Sequence, residues 1–318
     1  MRAYSLIAPA KINLYLKILG DRADGYHELV MILQSLELGD QVQVRANGIE
    51  KIRIYCDHPE VPLDQTNLAH RAAQLMVQQF PEAYANYGGV DIHIEKNIPV
   101  AAGLAGGSTD AAAVLVGLDL MWQLGLTYPE LEAIAENLGS DVPFCLAGGS
   151  AIATGRGEKL DPITNSPSLF VVLAKYRNIG VSTLWAYQTY RQEFSHGYIN
   201  DPDRMKTQSS KISSSPLVQA ITRSNGEEIG KLMHNDLEKI VLPEYPKVAQ
   251  LRETFARTGV LGTMMSGSGS TVFALCESAP EAERVRDEVK NAIPDPNLEF
   301  WITRFSSQGV RVNLTTKG

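Results

Sequence analysis

The chain has 318 residues, 44% hydrophobic and 20% charged, with a formal net charge of −7. That length suggests two domains of roughly 150 residues each, and the acidic balance argues against nucleic acid as the main partner. An anionic small substrate stays open, because a few lysines and backbone N–H groups reverse the field inside a cleft. Cys56, Cys145 and Cys276 are isolated and odd in number, with no C-x-x-C pair, which argues against disulfides and a structural zinc site. No apolar run reaches membrane-spanning length, and the opening MRAYSLIAPAKIN lacks the layout of a signal peptide. A reducing, cytoplasmic compartment without a membrane partner is the expectation.

In chain order, residues 4–19 read as a strand with Ile12, Leu14, Leu16 and Ile18 on one face and Asn13, Tyr15 and Lys17 on the other. Lys11 follows Pro9-Ala10 inside an otherwise apolar run. By base rate it is a solvated lysine, but that placement makes it a candidate functional amine. The turn Asp24-Gly25 leads to Tyr26-His27, an aromatic and an imidazole able to stack on and hydrogen-bond a planar ligand. A surface turn with a half-packed tyrosine fits the local pattern equally well. Alternation at 41–44 and 52–55 gives further strands, and a helix capped by Thr66 or Asn67 runs to about Phe80. Val90, Ile92 and Ile94 alternate in the strand that follows.

The stretch Lys96–Leu118, KNIPVAAGLAGGSTDAAAVLVGL, is the segment around which the chain is organised. Gly103, Gly106 and Gly107 fall within five residues, and an alanine-rich helix starts at Ser108 with no breaker before Gly117. Strand, glycine loop and helix N-terminus together bind phosphate: the backbone approaches an anion closely, and the first-turn N–H groups point at it. Ser108 and Thr109 are placed to cap the helix or to offer hydroxyls to a phosphate or its metal ion. Gly107 is followed by serine and not lysine, and G-x-G-x-x-G is absent, so neither the Walker loop nor the dinucleotide fingerprint applies. A tight turn into a buried helix is the competing reading. Asp110 would repel an anion, so it is expected to cap the helix or to turn away from the phosphates.

A capping box at Thr127-Tyr128-Pro129-Glu130 starts another helix, which stops by Gly139. Pro143 biases Val142 away from helical geometry, so Asp141 is expected in a short extended segment at the edge of a core. Strands at 150–154 and 169–175 flank the turn-rich stretch Asp161–Ser168, which divides the chain into domains 1–164 and 165–318. A helix at 183–194 carries Leu184, Tyr187 and Tyr190. Residues 200–216 are polar and serine-rich and are expected to form a mobile surface loop. Helices near 217–224, 227–241 and 244–258 precede a second glycine cluster at Met265–Ser270. A strand at 271–276, a helix at 280–292 and a strand at 300–305 follow.

Three segments, Pro9–Leu14, Pro99–Ala112 and Met265–Ser270, in this order and spacing, resemble the GHMP kinase superfamily, and the resemblance covers nearly the whole chain. PAKINLYLKILGDRADGYHEL at 9–29 and GSDVPF at 139–144 resemble one branch in particular. Its acceptor is 4-diphosphocytidyl-2-C-methyl-D-erythritol, in the non-mevalonate (methylerythritol phosphate) route to isoprenoid precursors. The resemblance implies an α+β fold of two domains, an N-terminal one like domain 2 of ribosomal protein S5 and a ferredoxin-like C-terminal one, with the active site in the cleft between them. It also implies ATP with Mg2+, and assigns no metal ligand to the protein. Asp141 would take the proton from the acceptor's 2-hydroxyl with Lys11 beside it. Lys96, Pro99, Val100, Ala101, Ala102, Gly103, Leu104, Ala105, Gly106, Gly107, Ser108 and Thr109 would hold the nucleotide. Asn13, Tyr26, His27, Gly267 and Ser268 would hold the acceptor, with Tyr176 as a second aromatic for the cytosine. Ala105 stands where the family often has glycine, which is tolerable at negative φ. A homoserine- or mevalonate-type kinase and a silent ATP-binding sensor are the alternatives. Both monomer and homodimer remain open.

Overall fold

The alternating residues 3–46 form two long paired strands, β1 (Ala3–Asp21) and β2 (His27–Ala46). In the computed structural model, residues 3–165 and 167–314 are described. Ser166, inside the expected boundary stretch, lies outside them. The chain continues through β3 (Ile52–Cys56), α1 (Leu68–Gln79), α2 (Pro81–Tyr87) and β4 (Val90–Glu95). Next come α3 (Gly106–Trp122), α4 (Tyr128–Ala135), α5 (Val142–Ala147), β5 (Ser150–Gly155) and β6 (Lys159–Ile163). β2 is the spine of the first sheet: residues 41–46 pair with β4 and residues 29–34 with β5. α3 lies on this sheet and runs through Gly117, where a Cβ would meet Val44 Cγ2 at 2.7 Å. Here the glycine permits close helix–sheet approach and does not end the helix.

The second half opens with β7 (Phe170–Tyr176), α6 (Thr183–Phe194), α7 (Pro202–Ser210), α8 (Pro216–Thr222) and α9 (Gly226–Leu232). β8 (His234–Asn235), α10 (Glu238–Glu244), α11 (Pro246–Arg257), β9 (Gly262–Met265) and β10 (Val272–Cys276) follow. α12 (Ala279–Ala292), β11 (Leu298–Arg304) and β12 (Arg311–Val312) complete the described chain. β7, β9, β10 and β11 form an antiparallel sheet in the order β11-β7-β10-β9, with α6–α11 filling the first crossover and α12 the second. This is the ferredoxin-like strand–helix–strand–strand–helix–strand pattern expected of the C-terminal half. β8 and β12 instead pair with β1, so the later part of the chain also completes the first sheet.

Four expectations are corrected. First, the β1–β2 register slips by one residue at Leu14, so Asn13 opposes Leu33 and Tyr15 opposes Ile32. This bulge puts Lys11, Asn13, Leu16 and Ile18 on one face and leaves Ile12 on the other, whereas strict alternation had grouped the four aliphatic residues. Second, residues 202–210 are helical. Asp201 accepts from the Asp203 and Arg204 N–H groups and Pro202 opens the helix, a local cap that outweighs the polar composition. Third, Val142–Ala147 is a helix with Pro143 in its first turn and Asp141 at its N-cap. Proline is accepted there because its missing N–H has no intrahelical partner to lose. The expected helix at 227–241 is likewise two helices, separated by β8.

Candidate active site

A cleft of about 910 Å³ runs between the first sheet, the loop before α3, α6 and the second glycine turn. Its wall at the start of α3 is made by the backbone. No side chain caps α3, and the first intrahelical bond is donated by the Thr109 N–H to the Ala105 carbonyl, at 2.9 Å. The N–H groups of Gly106, Gly107 and Ser108 precede that bond, and the helix dipole adds to them, so the helix start is an anion cradle. Gly103 has φ +73°, and a Cβ there would meet the Ser266 carbonyl oxygen at 2.2 Å. The close approach of the second glycine turn therefore requires glycine at 103. Ser266 Oγ donates to the Gly103 carbonyl at 3.0 Å, and Asn235 Nδ2 donates to the Met265 and Gly267 carbonyls at 2.9 and 2.8 Å. Gly267 and Ser268 are thereby brought to the cleft. Ala105 sits at φ +59°, so the negative φ that would make its methyl harmless is absent and the position is strained.

Pro99 to Ser108 line the cleft, whereas Thr109 does not and is fully buried. Adjacent helical residues point about 100° apart, so only one of the two hydroxyl residues faces the ligand side. Lys96 borders the cleft, but its ammonium is bonded to Asp40 and donates to Asp110 Oδ2 at 2.8 Å. Burial works to lower the Lys96 ammonium pKa, but the two carboxylates outweigh it and hold the pKa above its ordinary value. Burial, together with the nearby Asp40 charge, raises Asp110 well above the carboxylate range despite the pull of Lys96. Asp110 is thus engaged by Lys96 at the cleft wall beside the loop, and it does not cap the helix.

Lys11 and Asp141 meet in the middle of the cleft. The bulged β1 turns the Lys11 side chain inward, where Nζ donates to Asn13 Oδ1 at 2.9 Å and lies 3.5 Å from Asp141 Oδ2. The Lys11 side chain is 6% exposed and that of Asp141 31%, so the carboxylate is the partner open to a ligand. The Lys11 N–H also donates to the Leu104 carbonyl at 3.1 Å, which couples the strand to the phosphate loop. An accessible carboxylate beside a buried ammonium can accept a hydroxyl proton while the ammonium offsets charge on a transferring group.

Aromatic rings form the far end. Tyr26 is 56% exposed, with the Arg156 guanidinium 5.0 Å from its ring centroid. His27 is buried, its ring 5.2 Å from Tyr187 of α6 and edge-on to Tyr198 at 5.9 Å. Burial and the neighbouring Arg191 charge lower the His27 pKa against the opposing pull of Asp21, so the imidazole is neutral at pH 7. Arg191 Nε donates to Asp21 Oδ1 at 2.8 Å and Nη2 to the Gly25 carbonyl at 3.0 Å, fastening α6 to the turn. Tyr176 is not part of this end. It is 1% exposed, paired with Leu298 inside the second sheet, with Lys247 5.2 Å from its ring. Tyr187 is the aromatic that the second half contributes, and it was legible only as a helix-face residue. Glu60–Pro62 and Thr66–Leu68 also line the cleft beside the phosphate loop; as loop and capping residues they carry no sequence signal of that role.

Models of the GHMP kinases N terminal domain and of GHMP kinases C terminal match residues 67–149 and 217–295. The chain is 60% identical over 314 residues to the 4-diphosphocytidyl-2-C-methyl-D-erythritol kinase of Gloeothece citriformis, covering 99% of each chain. The chain belongs to the 4-diphosphocytidyl-2-C-methyl-D-erythritol kinase family of GHMP kinases. A crystal structure of a 4-(cytidine 5'-diphospho)-2C-methyl-D-erythritol kinase superposes with a TM-score of 0.73 at 31% identity, covering 95% of this chain and 99% of that one. A homoserine kinase from Cytophaga hutchinsonii reaches the same TM-score at 18% identity, covering 98% of each chain, and shares the fold alone. Within this kinase family fold, the loop, the Lys11–Asp141 pair and the Tyr26–His27 turn all open onto one cleft. No helix among the described residues is long and apolar enough to cross a membrane.

Proposed function

We propose that the protein transfers the γ-phosphoryl group of ATP to the 2-hydroxyl of 4-diphosphocytidyl-2-C-methyl-D-erythritol. The observation that carries this reading is the Lys11–Asp141 pair lying in a single cleft between an uncapped helix start and a cluster of rings. The nucleotide phosphates would lie against the N–H groups of Gly106, Gly107 and Ser108, with the bases at opposite ends of the cleft. Tyr26, His27 and Tyr187 would receive the cytosine, the neutral His27 offering either a donor or an acceptor to the base edge. Asp141 would accept the hydroxyl proton as the acceptor oxygen attacks, and Lys11 would offset charge on the phosphoryl oxygens. Asn13, bonded to Lys11, holds the ammonium on the cleft side.

The residues fit a magnesium ion carried on the nucleotide phosphates. The Ser108 hydroxyl and the Asp141 carboxylate are hard oxygen donors on the cleft wall, where Asp110 also stands with its Oδ2 bonded to Lys96. When bound, the ion neutralises charge on the β and γ phosphates. The protein would act in the cytoplasm on a small molecule, as a monomer or homodimer, with neither nucleic acid nor membrane as partner. The test is ADP release from MgATP by purified protein, offered in parallel the cytidyl acceptor, homoserine and mevalonate. Turnover with the cytidyl acceptor alone is expected. Turnover with another acceptor instead would overturn the substrate assignment, and silence with all three would favour a sensor.

A further inference from the structure

The buried ionic group beneath the phosphate loop reaches further than the loop's own sequence. Asp40 lies on β2, wholly buried, and it accepts three hydrogen bonds from the segment that enters the loop. Its Oδ1 accepts from the Asn97 N–H at 2.6 Å and from the Ile98 N–H at 2.8 Å, and its Oδ2 accepts from Lys96 Nζ. Asn97 Nδ2 adds a bond to the neighbouring Gly39 carbonyl at 3.1 Å. The same Lys96 ammonium donates to Asp110 Oδ2 at 2.8 Å, and a Cβ added to Gly106 would come 3.2 Å from it. One cation therefore bridges the sheet to the start of α3, and one carboxylate holds the loop's entry.

Resting on the nucleotide reading above, we propose that Asp40 is a positioning residue for ATP. Through Lys96 it fixes the entry of the phosphate loop relative to the helix start whose N–H groups take the phosphates. Asp40 is absent from the cleft wall and acts only through the loop. The bond pattern requires an anion. An asparagine could still accept from the two amides through its oxygen, but its NH₂ group would then face the Lys96 ammonium, donor against donor. The Lys96 link would break and the loop entry would shift against α3. Preorganised backbone donors lose most when displaced, whereas the Tyr26, His27 and Tyr187 rings stand on other elements and feel little of the change.

The test uses the full-length chain with Asp40→Asn and, separately, the pair Lys96→Met with Asp110→Asn, which removes the Lys96 bridge and keeps the two amide bonds to Asp40. MgADP affinity is measured by calorimetry, KM is measured for ATP and for the cytidyl acceptor, and a thermal melt checks folding. The expected result is an ATP KM and MgADP Kd raised about 10- to 100-fold, the size typical of lost supporting bonds, with the acceptor KM within about threefold of wild type. A lowered melting temperature with unchanged ATP KM would overturn the proposal by reducing Asp40 to a fold-stabilising role. Should Asp40→Asn not fold, the Lys96/Asp110 pair decides alone: unchanged MgADP affinity overturns the proposal, and a selective loss supports it. Wild-type protein that binds no MgADP would instead overturn the nucleotide reading itself.

Discussion

On the proposed reading, the two ends of the cleft would hold their ligands by different means. At the phosphate end the contacts would be the backbone N–H groups of Gly106, Gly107 and Ser108, in a loop braced from below by Asp40 and Lys96 and from across the cleft by Ser266. At the far end they are side chains: Tyr26 and His27 from the β1–β2 turn, Arg156 from after β5, and Tyr187 with Arg191 from α6. Truncating a side chain cannot delete a backbone donor, only move it. Ring contacts can be removed one at a time. Damage at one end should therefore read out in the KM of one substrate and leave the other alone, while damage at the Lys11–Asp141 junction should read out in kcat.

The largest separable effect is expected at that junction. Lys11→Met keeps the length of the side chain and removes its charge; kcat should fall by about 10²- to 10³-fold with both KM values nearly unchanged, as steady-state kinetics would show. A rise in one KM with kcat intact would place Lys11 in binding. Tyr187→Ala comes next. Losing a base-stacking ring should raise the acceptor KM by about 10- to 100-fold, leave the ATP KM unchanged, and be largely rescued by Tyr187→Phe. An equal rise in both KM values would dissolve the distinction between the two ends.

A smaller effect follows from pH. The His27 pKa is lowered from its ordinary 6.5 by burial and by Arg191, so the folded protein holds a neutral imidazole at pH 7. A histidine with a depressed folded pKa contributes stability that is complete above 6.5 and is lost as pH falls through the folded value. The acceptor KM should therefore stay flat from pH 8 down to 6.5 and climb below it, while in His27→Gln this limb disappears. The smallest effect is at the strained loop position. Ala105→Gly should stabilise the protein by about 1 kcal/mol in denaturant unfolding, because glycine adopts φ +59° without the methyl clash.

The same contrast governs what the sequence reveals. The phosphate cradle was legible because strand, glycines and helix start are contiguous, and Gly106–Ser108 lie where that pattern put them. Lys11 and Asp141 were each singled out by their local sequence, but their pairing was legible only through the family's motifs, since it depends on β1 lying beside the start of α5. The face of β1 on which Lys11 stands was misread beyond Asn13, because alternation carries no mark of the extra residue at Leu14. Tyr176 was expected as the second aromatic, but the period of β7 points it into the core, and Tyr187 one helix later reaches the cleft. Asp40 gave no signal at all. A buried carboxylate that bonds a distant loop looks, in sequence, like any aspartate at the bend of a strand.

Asp141→Asn is the most direct test of the central claim that this cleft performs phosphoryl transfer with Asp141 as the proton acceptor. ADP release with the cytidyl acceptor and MgADP affinity would be measured on the same preparation. The expected result is turnover reduced by about 10²- to 10⁴-fold with nucleotide affinity near that of wild type. Turnover at the wild-type rate would contradict the account, since the hydroxyl proton would then have another destination.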